Sequence, residues 1–120
     1  MPLSDQVLQV IQRIRQLHRN EILLFPNANN PKKEMSNNTI LYALYRMGYH
    51  GRLTGHGFRA TASTILHEQD FDSDAIERQL AHAERNQVKG AYDHSTHLAQ
   101  RTKMMQWWGD YLEERGMKLV

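Results

Sequence analysis

At 120 residues, 40% of them apolar, and with a mean hydropathy of −0.69, the chain fits one domain with a modest core under a well-hydrated surface. A net charge of +2 and an isoelectric point near 9.0 suit a polyanionic partner without requiring one. With no cysteine there is no disulfide frame and no thiolate metal site, which fits a reducing cytoplasm. Its longest aliphatic or aromatic run, residues 22–25, is too short to span a bilayer, and the N-terminus has no apolar signal region.

In chain order, Ser4 is a candidate N-cap. Leu3, Val7, Val10, Ile14 and Leu17 recur at three- and four-residue steps, which predicts an amphipathic helix to about Arg19. Residues 22–25 read as a short strand stopped by Pro26, and residues 27–33 as a loop. Ser36 is expected to cap a second helix carrying Ile40, Leu41, Leu44 and Met47, ended by Gly48. A third helix is expected from around Gly57 through Ala60, Ala62, Ile65 and Leu66. A fourth follows, capped by Ser73, with Ile76 and Leu80 inward. Tyr92 falls in a short helical segment. The last helix runs from about Thr96 to Arg115 and stops at Gly116. On it Leu98, Met105, Trp108 and Leu112 form an apolar row that Met104, Trp107 and Tyr111 widen. A band of that width calls for two packing surfaces, so self-association is expected. The fold class is mainly α and bundle-like, with at most one short β element. There are no repeats, low-complexity tracts or linkers.

Chemistry concentrates in three short stretches: His56-Gly57-Phe58-Arg59, Leu80-Ala81-His82, and Tyr92. His82 follows Arg59 by 23 residues and Tyr92 follows His82 by ten. An arginine, two histidines and a tyrosine are the parts needed to attack a phosphodiester without a metal. The guanidinium fork grips two phosphate oxygens and stays charged. Histidine moves protons near neutrality. Tyrosine becomes a nucleophile once its proton is removed or its anion stabilised. Each also has a plainer reading. Arg59 could be a surface arginine paired with a carboxylate, and His56 a capping or core histidine. His82 could sit at a helix C-terminus favoured by the macrodipole, and Tyr92 could be buried with an ordinary hydroxyl partner. Among the other tyrosines, Tyr42, Tyr45 and Tyr111 read as packing residues, and Tyr49 has no reactive neighbour in sequence.

Other tempting patterns fail. His67-Glu68 opens like a zinc-protease helix, but Phe71 stands where the second histidine is needed. Asp70, Asp72 and Asp74 open like a calcium loop, but Ala75 and Ala81 replace its glycine and its glutamate. These acids read as a solvated turn and a helix N-terminus. His94 and His97 lack a third ligand. Residues 37–39 match a glycosylation acceptor, which without a secretion signal reads as chance.

His56-x-x-Arg59, Leu80-x-His82 and Tyr92 resemble the C-terminal signature of tyrosine recombinases, the phage-integrase family. Residues 54–64 (TGHGFRATAST) and 76–86 (IERQLAHAERN) are similar to the branch carried by satellite prophages and genomic islands. The resemblance covers residues 2–112. It implies that residues 1–120 are the C-terminal portion of an integrase catalytic domain. A further catalytic arginine and a hairpin lysine would precede Pro2, as would the arm- and core-binding domains. It implies Tyr92 as nucleophile, Arg59 and His82 holding the phosphate, and His56 aiding proton transfer, with no cofactor and no metal. Arg52, Arg78 and Lys89 are expected to add DNA phosphate contacts.

The expected partners are double-stranded DNA attachment sites, further protomers on that DNA and accessory DNA-bending proteins, with no membrane. The expected location is the cytoplasm, at the bacterial nucleoid. A non-catalytic DNA-binding or assembly module is the competing class. A helical interaction domain unrelated to DNA is a third reading.

Overall fold

The computed structural model describes residues 1–18, 20–81 and 97–118. Among them the chain is mainly helical: α1 Asp5–Leu17, α2 Thr39–Arg46, α3 Gly55–Glu68, α4 Ser73–Gln79 and α5 Leu98–Glu114. The described residues contain no strand, only one isolated antiparallel bridge between Pro26 and Glu34. The predicted helical segment around Tyr92 lies outside the described residues. The chain divides into two compact units, one of Met1–Leu8 with Ala60–Val120, the other of Gln9–Arg59.

The first unit holds the core. Leu66 of α3, Ile76 of α4 and Met104 of α5 are all but inaccessible to solvent. Phe71, Leu80, Met105, Trp107 and Trp108 pack around them. Burying three such side chains favours folding by about 1.5–3 kcal/mol each. The helix ends are set by local chemistry. Asp70 takes the left-handed conformation (φ 60°) after α3, and Phe71 N–H reaches back to the Leu66 carbonyl at 3.3 Å. Short acidic side chains tolerate that conformation. The carboxylate of Asp72, and not Ser73, caps α4 by accepting from Ala75 N–H at 2.9 Å. A cap one residue earlier leaves Ala75 and Ile76 pointing into the core, where both are buried. The acids of this segment therefore serve the turn and the cap. His67 bridges the same corner: its Nδ1 lies 2.7 Å from the Ser63 carbonyl and must carry the proton. Nε2 is left to accept from Ser73 Oγ at 3.3 Å.

The wide apolar band of α5 finds most of its cover within this unit. Met104 is fully buried, Trp107 lies edge-on to Phe71 (ring centroids 5.3 Å apart), and Trp108 stacks on Tyr111 at 5.5 Å. Leu98 remains half-exposed. The start of the chain is fastened to this helix. Ser4 Oγ accepts from Val7 N–H at 3.3 Å as the expected cap of α1. Gln106 Oε1 accepts from Asp5 N–H at 3.0 Å, and the Gln6 amide donates to Asp110 at 2.8 Å and to Glu113 at 2.9 Å. Ser4 is 1% exposed because Gly109 leaves room for it.

The second unit is ordered mainly by local hydrogen bonds, with Leu44 as its buried side chain among the described residues. The strand expected at residues 22–25 does not form. Asn20 Oδ1 accepts from Ile22 N–H (3.0 Å) and Leu23 N–H (2.8 Å), taking donors a ladder would need. The pairing moves instead to Asn27 N–H with the Lys33 carbonyl (2.8 Å) and Met35 N–H with the Phe25 carbonyl (2.9 Å). Within the loop Asn27 Oδ1 accepts from Asn29 and Asn30 N–H, so the asparagines form a series of side-chain-closed turns. Ser36 opens a turn one step ahead of α2 and does not cap it: its carbonyl accepts from Thr39 N–H at 3.0 Å, and Asn38 is the N-cap. Gly48 (φ 89°) ends α2 as expected, with Tyr49 N–H bonded to the Leu44 carbonyl at 3.0 Å. The helix α1 stops at Leu17, short of Arg19.

A Cβ on Gly109 would lie 2.7 Å from Ser4 Oγ and 2.9 Å from Ser4 Cβ, atoms too close to the backbone to swing away. Gly109→Ala is therefore expected to lower stability. Overpacking of about 1–3 kcal/mol outweighs the roughly 1 kcal/mol that alanine adds in helix propensity. The check is the urea midpoint at unchanged slope; a midpoint equal to or above that of the unsubstituted chain would refute the close approach.

Candidate nucleic-acid site

Thr54 starts α3. Its Oγ1 accepts from Gly57 N–H at 3.1 Å, and its carbonyl from the same N–H at 3.0 Å, so the helix begins at Gly55, two residues before the expected start. This cap puts His56 in the first turn and Arg59 one turn later. Residues three apart on a helix are neighbours on its surface, with Cβ atoms about 5–6 Å apart. Both side chains are exposed. Neither makes a hydrogen bond or ion pair with another described residue, so the reading of Arg59 as half of a structural carboxylate pair finds no described partner.

The glycines flanking His56 have no packing role that the structure explains. A Cβ on Gly55 would meet nothing within 4 Å, and one on Gly57 only ordinary contacts at 3.5 and 3.7 Å. Each costs a helix on the order of 1 kcal/mol relative to alanine. Because Thr54 takes the Gly57 N–H, what this first turn offers an anion is the positive end of the helix dipole. Thr54 is a positioning residue that motif reading passes over, since its part is the cap that orients the first turn.

Arg52 lies in the turn between α2 and α3, exposed, with its guanidinium carbon 5.9 Å from the centre of the Tyr49 ring. Arg78 is in the last turn of α4 and half-buried. His82, Lys89 and Tyr92 lie outside the described residues, as does His94. His97 precedes α5, its Nδ1 3.2 Å from Gln100 Oε1 and 3.5 Å from Asp72 Oδ2, roles that tie it to the α4 cap. Tyr42 does not pack as expected: it is 54% exposed, because the turns of α2 bury only Leu44. Tyr45 is half-buried against His50, with ring centroids 4.1 Å apart. No described helix is long and apolar enough to cross a membrane.

Residues 1–98 match the phage integrase family. The chain is 44% identical to the integrase of Enterobacteria phage P4 over its whole length, which is 28% of that protein. It is 40% identical to the integrase of Shigella phage Sf6, over 96% of this chain and 30% of that one. To the prophage integrase IntA of Escherichia coli (strain K12) it is 41% identical, over 94% of this chain and 27% of the other. It thus spans under a third of these curated relatives. No solved structure gives a significant match. A match over residues 1–98 and this level of identity along nearly all of its length show that the chain belongs to the phage integrase family.

Proposed function

We propose that these residues are the C-terminal portion of the catalytic domain of a site-specific DNA recombinase that works through a phosphotyrosyl intermediate. The observation that carries the reading is the α3 N-terminus. Arg59 and His56 share its exposed surface and make no hydrogen bond or ion pair with another described residue, beside a first turn that Thr54 caps and that carries no side chain at Gly55 or Gly57. A phosphate there would meet a fixed cation, a proton-transfer group and the positive end of a helix.

In this reading the Tyr92 oxygen attacks a DNA phosphorus as its proton passes to a base. The bond to the 5′-oxygen breaks, that oxygen leaves protonated, and a 3′-phosphotyrosyl ester remains. The reverse attack by a 5′-hydroxyl of the partner strand rejoins the DNA, so the bond energy is conserved in the ester. Arg59 and His82 hold the non-bridging oxygens, and His56 assists proton movement, a contribution on the order of 10²–10⁴ in rate. The lysine implied upstream of Pro2 protonates the leaving group. Arg52, Arg78 and Lys89 add phosphate contacts that position the duplex. Attachment-site DNA, further protomers and accessory DNA-bending proteins are the partners of the whole recombinase.

In the intact parent protein Tyr92→Phe is expected to abolish the covalent adduct on a nicked suicide substrate while leaving DNA binding nearly unchanged. Trapping at the unsubstituted level would move the nucleophile elsewhere. A gel shift without any adduct from the unsubstituted parent would favour the non-catalytic module.

Arg59→Ala should likewise remove the adduct, yet leave thermal stability within about 0.5 kcal/mol, as for an exposed side chain without structural partners. A larger loss of stability would restore the structural reading of Arg59.

The 120 residues alone are expected not to cleave DNA, because members of a catalytic unit are strongly interdependent. Efficient strand cleavage by this chain would refute the assignment of an arginine and a lysine to the preceding sequence.

A further inference from the structure

The charge of this chain is unevenly distributed between its two units. The unit Gln9–Arg59 holds eight Lys and Arg against two carboxylates, whereas the rest of the chain holds seven against eleven. A net charge of +2 thus conceals one strongly basic unit and one acidic unit. The basic unit is also segregated along the sequence: from residue 35 to residue 67 there is no aspartate or glutamate at all, while Arg46, Arg52 and Arg59 fall in that interval.

Part of this acid-free segment forms a single surface feature, the last turn of α2 and the connection to α3. Gly48 (φ 89°) and Gly51 (φ 73°) fold residues 47–53 back on the helix end, with Tyr49 N–H on the Leu44 carbonyl and Arg52 N–H on the Tyr49 carbonyl at 2.9 Å. The result gathers Arg46, His50 and Arg52, all exposed, with Tyr42 and Tyr49, 54% and 42% exposed. Two sets of contacts run through it: Tyr42 edge-on to Tyr45 and Tyr45 edge-on to His50, and separately Arg52 over Tyr49. Neither Arg46 nor Arg52 pairs with a carboxylate among the described residues. The macrodipole explains a cation at Arg46, in the last turn of α2. It does not explain Arg52, the exposed tyrosines, or the lack of any acid over 33 residues.

We infer that the knob formed by Tyr42, Arg46, Tyr49, His50 and Arg52 is a contact surface for the phosphate backbone of duplex DNA. Through it, the unit Gln9–Arg59 carries most of the chain's sequence-independent DNA affinity. The guanidinium groups meet phosphates, tyrosine hydroxyls donate to phosphate oxygens, and the Tyr49 ring lies against Arg52 in place of an ion pair. The acidic remainder of the chain adds the smaller share, through the contacts proposed above for Arg78 and Lys89. The inference rests on the DNA reading above and deepens it, assigning Arg46 a role that the recombinase motifs do not touch.

The test is duplex-DNA binding by the 120-residue chain, followed by fluorescence anisotropy from low to physiological salt. Each lost phosphate contact lowers the slope of log affinity against log salt by about 0.9. Arg46→Gln with Arg52→Gln is expected to lower that slope by about 2 and to weaken binding on unrelated sequences alike. Arg46→Lys with Arg52→Lys should keep the slope, which separates charge from any effect on the fold. Arg101→Gln with Lys103→Gln, in the acidic unit, should change it little. An unaltered slope in the Arg46 and Arg52 glutamine variant, or a larger loss in the Arg101 and Lys103 variant, overturns the inference with the DNA reading intact. Absence of DNA binding by the unsubstituted chain at low salt would overturn the inference, while the recombinase reading is tested separately by the covalent adduct of the intact parent.

Discussion

Everything in the first unit depends on the burial of Met104 against Leu66 and Ile76. Leu66 and Ile76 lie ten residues apart across a tight corner and Met104 follows 28 residues later, so the contact with Met104 must repay the entropy of closing that longer loop. Phe71, Trp107 and Trp108 extend the contact into an aromatic layer around a small aliphatic centre. The corner between α3 and α4 makes this possible. Asp70 in a left-handed turn, Asp72 as a cap and His67 as a bridge hold the two helices in register for α5. The start of the chain then lies against Gly109 through Ser4 and Gln6.

The two units are built on different principles. The first buries side chains, and its hydrogen bonds at helix ends serve that burial. In the second, asparagine and threonine side chains close successive turns, and among its described residues only Leu44 is withdrawn from water. Large apolar side chains remain open there: Ile22 is 92% exposed, with Met47 and Phe58 also half-exposed or more. Local hydrogen bonding leaves arginine and tyrosine side chains of this unit at the surface.

Electrostatics follows the same partition. The first unit places acids where helices start and where chain ends meet, at Asp72 and around Gln6 with Asp110 and Glu113. The second keeps cations without local carboxylates across α2 and the first turn of α3. A fixed positive field steers an anionic partner at long range and is screened by salt over about 8 Å in physiological solution. Arg59 and His56 stand at one end of the acid-free segment, where such a field would favour a bound phosphate.

Much of this was legible in the sequence by itself. The presence and type of the described helices α1 to α5, the stops at Gly48 and Gly116, and the inward positions of Leu66 and Ile76 follow from periodicity and punctuation. These depend on neighbours within a turn or two. The motif order is what points to His56 and Arg59, a pattern of residue types along the chain on which their proposed roles rest. Tertiary structure decided what depends on which group takes which hydrogen bond. Asn20 withdrew the donors of a strand at residues 22–25, and Asp72 displaced Ser73 as a cap because Ala75 and Ile76 had to face the core. It decided too that Tyr42 is exposed and Met104 buried, although both sit on apolar helical stripes. Periodicity reports which residues share a face; only the packed neighbours determine whether that face is covered.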